Sequence, residues 1–170
     1  MVTTASGIEV IHWSNNPCDY QKVPVAGNTV IGVGAPITLT SGKAVTFITA
    51  NKDTDTDEFR GLAYTGQDGS DSSGDTNYIT VCARAVAKVT FSTAPAADDY
   101  IGNGVECDAG TAATQVYTFL IEDAGVNQCG WLMENGDGST TTLRVLFDSF
   151  LVSHGAQVAG TGSWMVNAAE

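Results

Sequence analysis

From Asn77 to Phe91, NYITVCARAVAKVTF, apolar side chains take every second place: Ile79, Val81, Ala83, Ala85, Ala87, Val89 and Phe91. Thr80, Arg84, Lys88 and Thr90 hold most of the places between. A period of two is that of a half-buried β-strand. Wound as a helix, the stretch would gather Val81, Arg84, Ala85 and Lys88 on one face, mixing apolar and charged groups. The spacing predicts one long or bent strand. Its two Ala runs leave a helix as the second reading, because Ala favours helices over strands.

Shorter alternations surround this stretch. Gly7 to Trp13 and Thr29 to Val33 read as short strands, separated by the turn signal Asn15-Asn16-Pro17. Lys43 to Ala50 places Val45, Phe47 and Thr49 on one face, and Phe59 to Thr65 reads as its partner strand. Gly102-Asn103-Gly104 precedes Val105 and Cys107, the composition of a strand that bends or bulges. Gln115 to Glu122 alternates with apolar residues on both sides, so both of its faces are expected to be covered. Cys129 to Glu134 and Thr140 to Val152 flank Asn135-Gly136-Asp137-Gly138, the strongest hairpin signal in the chain. In the second of these strands Leu143, Val145 and Phe147 face one way, Arg144 and Leu146 the other.

Every element is thus a strand, and no helix longer than one or two turns is expected. The fold class is all-β, a small β-barrel or sandwich with extended N- and C-terminal arms. Three parts follow: 1–43, an N-terminal arm with the first short strands; 44–152, the barrel or sandwich core; and 153–170, a C-terminal arm. Pro17, Pro24 and Pro36 mark the first part as extended, because proline cannot donate within a sheet ladder.

Charge narrows the partners. The 170 residues carry a formal net charge of −12 with seven Lys and Arg, so nucleic acid and anionic membrane surfaces would repel the chain. No window approaches the roughly 20 apolar residues of a membrane span. The N-terminus lacks a signal-peptide core, so synthesis in the cytoplasm is expected. Cys18, Cys82, Cys107 and Cys129 form no CxxC pair, and His12 and His154 are the only imidazoles. Zinc is not expected, and the thiols are read as small packed hydrophobes in preference to disulfides. Asp53, Asp55 and Asp57 alternate as calcium ligands do, but Glu58 and Tyr64 stand where an EF-hand loop needs Gly and Glu. That stretch and Gly66 to Asp75 are read as solvated loops. There is no Gly-x-Ser-x-Gly, and Gly102-Asn103-Gly104 lacks the third glycine of a dinucleotide fingerprint. Paired acids such as Asp98-Asp99 and Glu122-Asp123 would point to opposite faces of a strand. Neither catalysis nor a cofactor is expected.

Taken together, Thr80 to Phe91, the alanine-rich bend Ala94 to Ala97, Gly102 to Gly110 (GNGVECDAG) and Gly130 to Phe147 (GWLMENGDGSTTTLRVLF) follow an order that resembles the capsid decoration proteins of tailed phages, also called cement or head-stabilising proteins. The resemblance covers about half of the chain. It implies a structural protein of the virion that sits on the major capsid protein lattice, often as a homotrimer, and clamps neighbouring subunits, with no reaction and no direct contact to nucleic acid or membrane. Trp13 and the patch Trp164-Met165-Val166 are too apolar to stand in water without a partner. With His12 they form the candidate partner interface at the two ends of the chain, the equal alternative being that both ends pack back onto their own barrel. The competing reading is a secreted β-sandwich adhesin or carbohydrate-binding module, with Tyr64, Tyr78, Tyr100, Trp131 and Trp164 as an aromatic platform.

Overall fold

The computed structural model describes residues 4–26, 28–48, 58–69, 77–111, 114–121 and 128–151. Thirteen strands run through them: β1 (Ile8–Trp13), β2 (Tyr20–Val25), β3 (Val30–Ile31), β4 (Pro36–Thr40), β5 (Lys43–Thr46), β6 (Gly61–Ala63), β7 (Gln67–Asp68), β8 (Asn77–Cys82), β9 (Arg84–Thr90), β10 (Gly104–Thr111), β11 (Val116–Ile121), β12 (Gln128–Leu132) and β13 (Thr142–Asp148). A single 3-10 turn, Pro17–Asp19, separates β1 from β2, and a helix starts at Ser149. The strands form a five-stranded sheet in the order β2-β8-β6-β4-β5, a six-stranded sheet in the order β1-β9-β13-β12-β10-β11, and the small pair β3-β7. All named ladders are antiparallel. The molecule is all-β and sandwich-like. Its five-stranded sheet curls until β2 and β5 come within 8 Å, and neither sheet closes into a barrel.

The alternation from Asn77 to Phe91 is one run of chain shared by both sheets. Ile79 and Val81 point into the core from β8, and Ala85, Ala87 and Val89 from β9. Ala83 lies at the bend, outside both ladders, where its amide donates to Asp19 O at 2.7 Å and its carbonyl accepts from Ser149 N at 2.9 Å. Every backbone group released by the bend therefore finds a partner from elsewhere in the chain. Small side chains on β9 answer large ones beside it: Ala85 lies opposite Trp13 on β1 and Phe147 on β13. That is why Ala, a poor strand former, is tolerated here. Phe47 and Phe59 meet Phe147 and Phe119 between the sheets in a chain of ring contacts at 5.7, 5.8 and 5.9 Å.

Four expectations need correction. The described residues among 1–43 do not form an arm. β1 pairs with β9, β2 pairs with β8, β4 lies inside the five-stranded sheet, and Ala5, Ile8, Val23, Val25, Ile31, Ala35 and Ile37 belong to the core. The prolines stand where a missing amide does least harm: Pro17 opens the 3-10 turn, Pro24 lies on the edge strand β2, and Pro36 is the first residue of β4. Phe59 to Thr65 is not the partner of Lys43 to Ala50, because β4 lies between β5 and β6. The register of β5 is also opposite to the one read: Ala44 and Thr46 are buried and Val45 is half-buried, while Phe47 enters the core just after the strand ends. In β11, Tyr117 and Phe119 face the core and Val116 is 44% exposed, since this strand lies at the end of its sheet. The expected C-terminal arm lies outside the described residues.

The bulge expected in β10 is present, between Cys107 and Ala109. The expected hairpin is present as β12 and β13, with Leu132 opposite Val145, although residues 133–141 make a longer loop than a two-residue turn.

The N-terminal segment is held most tightly at Gly7. Ser6 donates to Gln115 O at 2.7 Å and accepts from Tyr117 N at 2.9 Å, and Gly7 O accepts from Thr90 N at 2.8 Å. Gly7 has φ +79°, and a Cβ there would lie 1.9 Å from Tyr117 O. Gly7→Ala is therefore expected to cost about 2 kcal/mol or more from backbone strain and displacement of β11. Urea unfolding checks this; a change within a few tenths of a kcal/mol would mean that residues 4–7 are not seated on β11.

Candidate interaction surfaces

A polar cluster beneath the Ala83 bend fixes the ends of β1, β2 and β13. Asn16 caps the 3-10 turn by accepting from Cys18 N at 3.1 Å, which turns Asp19 inward to 3% exposure. The Asp19 carboxylate accepts from Ser14 Oγ and, at 3.3 Å, from Asn16 Nδ2. Arg84 lies between Asp19, 3.9 Å away, and Asp148, whose Oδ2 accepts from Arg84 Nε at 2.7 Å. The other oxygen of Asp148 accepts from Phe150 N and Leu151 N at 3.0 and 3.2 Å, capping the helix that starts at Ser149. Phe150 stands 5.9 Å from the Arg84 guanidinium. Two buried acids and one half-exposed cation thus set the direction in which the chain leaves β13.

Beside this cluster lies an aromatic corner. Tyr64, which follows β6, is 44% exposed and meets Trp13 edge-on at 5.2 Å and Tyr20 at 5.1 Å. Tyr20 donates to Ser14 O at 2.6 Å, and burial, followed by hydrogen bonding to Cys82, pushes its phenol up to about 12. Trp13 is half-buried: it packs on the core and shows its remaining surface at the seam between the sheets. His12, next to it on β1, is exposed. The structure thus brings Trp13 together with two tyrosines that nothing in the sequence linked to it. Trp164, Met165 and Val166 lie outside the described residues.

Cross-strand register places His12 at the end of a row, His12, Val86, Leu146 and Trp131, on the face of the six-stranded sheet turned away from the core. A charged row, Glu9, Lys88 and Arg144, runs alongside. Trp131 is 3% exposed, Tyr64 is engaged edge-on, and Tyr100 belongs to a loop between β9 and β10. Tyr78, on β8, is 58% exposed, and Trp164 lies outside the described residues.

The third surface is a pair of loops, residues 92–103 and 133–141. Gly136 N donates to Asp99 O, and Gly138 N to Pro95 O, both at 2.8 Å. Gly102 N donates to Leu132 O, Leu132 N to Asn103 O, and Ile101 N to Asn135 Oδ1 at 3.1 Å. Within the first loop Asp99 accepts from Ala96 N at 2.7 Å and from Asn103 Nδ2 at 3.2 Å. Gly136 leaves room for this: a Cβ there would lie 2.1 Å from Ala96 O. Asp137 accepts from Ser139 N, Thr140 N and Thr140 Oγ1, with the hydroxyl contact foremost in holding its carboxyl well below the usual range. Glu134 is lowered chiefly by the Arg144 amide. Out of this framework stand Tyr100, Ile101 and Met133, exposed by 58, 44 and 37%. Ala94 to Ala97, the start of Gly102 to Gly110 and the loop after β12 meet here, so three of the segments that carry the capsid-protein resemblance form one corner.

All four cysteines stand as thiols, Cys82, Cys107 and Cys129 buried as expected and Cys18 exposed. Among the described residues no group of three or more His, Cys, Asp or Glu could hold a metal ion, and Asp53, Asp55 and Asp57 lie outside them. No described helix is long and apolar enough to cross a membrane. Comparison with protein-family models, curated proteins and solved structures finds no match to this chain.

Proposed function

We propose that this chain is a structural virion protein that binds the outer surface of an assembled tailed-phage capsid, as a homotrimer, and stabilises contacts between major capsid subunits. The observation that carries the reading is the aromatic corner: Trp13, Tyr20 and Tyr64 are held edge-to-face on a rigid two-sheet body, with Tyr64 and His12 open to solvent. Aromatic side chains fixed in place are the residues that most often dominate a protein interface, because they bury much area at little entropic cost. The convergence of the resemblance segments in one corner supports the same reading. A strongly acidic body is kept apart from nucleic acid. Many weak sites engaged together would hold it on the lattice.

The test mixes the chain with empty shells of the phage that encodes it and measures occupancy by sedimentation. Tyr64→Ser is expected to lower affinity about tenfold while leaving melting within a few degrees, since its surface lies outside the core. Binding to a glycan array together with indifference to shells would replace this reading with the adhesin or carbohydrate-binding one.

A further inference from the structure

We propose that the paired loop tip is a second docking surface, which seats Tyr100, Ile101 and Met133 in an apolar patch with a basic rim on the capsid subunit beneath it. This inference rests on the capsid reading above. Three large apolar side chains stand exposed on two adjoining loops joined by hydrogen bonds from Gly136 N, Gly138 N and Ile101 N. Loops usually lose ordering entropy when they bind; here the backbone is already fixed, so contact made by the three side chains is retained as affinity. Clusters of this kind mark partner sites more often than single exposed apolar residues do.

Charge selects the occupant. Asp98 and Asp137 are exposed on the same two loops, and hydrogen bonds hold Asp137 ionised. A second copy placed tip to tip would bring the same acids into opposition, in a chain already at −12. A partner whose apolar patch is edged by Lys or Arg meets no such opposition.

The experiment uses the full chain and empty shells of its phage. Three variants are compared with wild type: Tyr100→Ser with Ile101→Ser, Asp98→Lys, and Tyr78→Ser, whose side chain is 58% exposed on β8 and serves as the control. Expected are a loss of about 30-fold or more in the double variant, a loss of several-fold in Asp98→Lys and no change in the control, all with wild-type melting. Gly136→Ala, which forces the loops apart, is expected to weaken binding with every exposed side chain still present. Wild type that ignores the shells would overturn the capsid reading and this inference with it. Wild type that binds, with a double variant within twofold of it, would overturn the tip alone. Tighter binding by Asp98→Lys would overturn the basic rim, and wild-type self-association abolished by the double variant would assign the tip to a second copy.

Discussion

Truncation of Phe147 to Ala is expected to lower stability by about 3 to 5 kcal/mol, the largest effect of any single substitution considered. The side chain is fully buried, and its ring is the link between Phe59 from the five-stranded side and Phe119 on β11, at 5.8 and 5.9 Å. Across the ladder its neighbour is Ala85, which has no side chain to extend into the void. The cavity would therefore open between the sheets, where both backbones are held by hydrogen bonds and collapse is restricted. Against a total of about 5 to 15 kcal/mol for a domain of this kind, such a loss removes a third or more of the margin. Urea unfolding measures it, and a decrease under about 1 kcal/mol would show that the two sheets do not share this core.

Arg84→Ala is expected to cost about 2 to 3 kcal/mol, although the arginine itself is half-exposed. The cost arises at its partners. The Asp19 and Asp148 side chains are each 4% exposed, and removal of the guanidinium leaves both carboxylates buried without their cation. The full penalty for a broken buried pair is reduced here, because Ser14, Asn16 and the Phe150 and Leu151 amides still donate to the two acids. Adding Asp148→Asn to Arg84→Ala should recover part of the loss, since an amide oxygen caps the helix as well and carries no charge. A loss below about half a kcal/mol in the single variant would class the arginine as an ordinary surface ion pair.

Much of the fold was legible because β-strands announce themselves by period. The run from Ile79 to Phe91 buries every odd-numbered residue, as its alternation requires, and Leu143, Val145 and Phe147 face inward as read. What the period cannot convey is where a strand changes sheets. The bend at Ala83 is set by Asp19 and Ser149, which lie more than sixty residues away in either direction, and an alanine looks the same at a bend as in a ladder. β4 is hidden in the sequence because Pro36 opens it, and proline argues against an inner strand unless it stands at the first position. With β4 missing, β5 acquired the wrong partner.

The surfaces were less legible for a related reason. Trp13 stands out by its own character, but its companions come from elsewhere in the chain, Tyr20 from β2 and Tyr64, read as part of a sugar platform, from the turn after β6, and no sequence pattern links them to it. Tyr100, Ile101 and Met133 are single apolar residues within glycine- and acid-rich loops. The loops that carry them adjoin only once Ile101 N reaches Asn135 and Gly102 N reaches Leu132. The signal that could have found them is the Asn135-Gly136-Asp137-Gly138 run, whose first glycine permits a close approach of two backbones beyond the needs of a hairpin.

The seating of the first strand has a consequence for synthesis. Ile8 to Trp13 pairs with Arg84 to Thr90, and Ser6 pairs with Gln115 and Tyr117, so this segment is made well before the partners that seat it. For the time needed to translate about a hundred further residues, roughly 5 to 20 s at ordinary elongation rates, Ile8, Val10 and Trp13 have no native neighbours on β9 or β11. Pairings so distant along the chain also close slowly once both partners are made. A chain built this way is most vulnerable to aggregation while nascent, which places a premium on the low edge propensity of β1: a bulge at Ile11 and the polar residues Glu9 and His12 between its apolar ones.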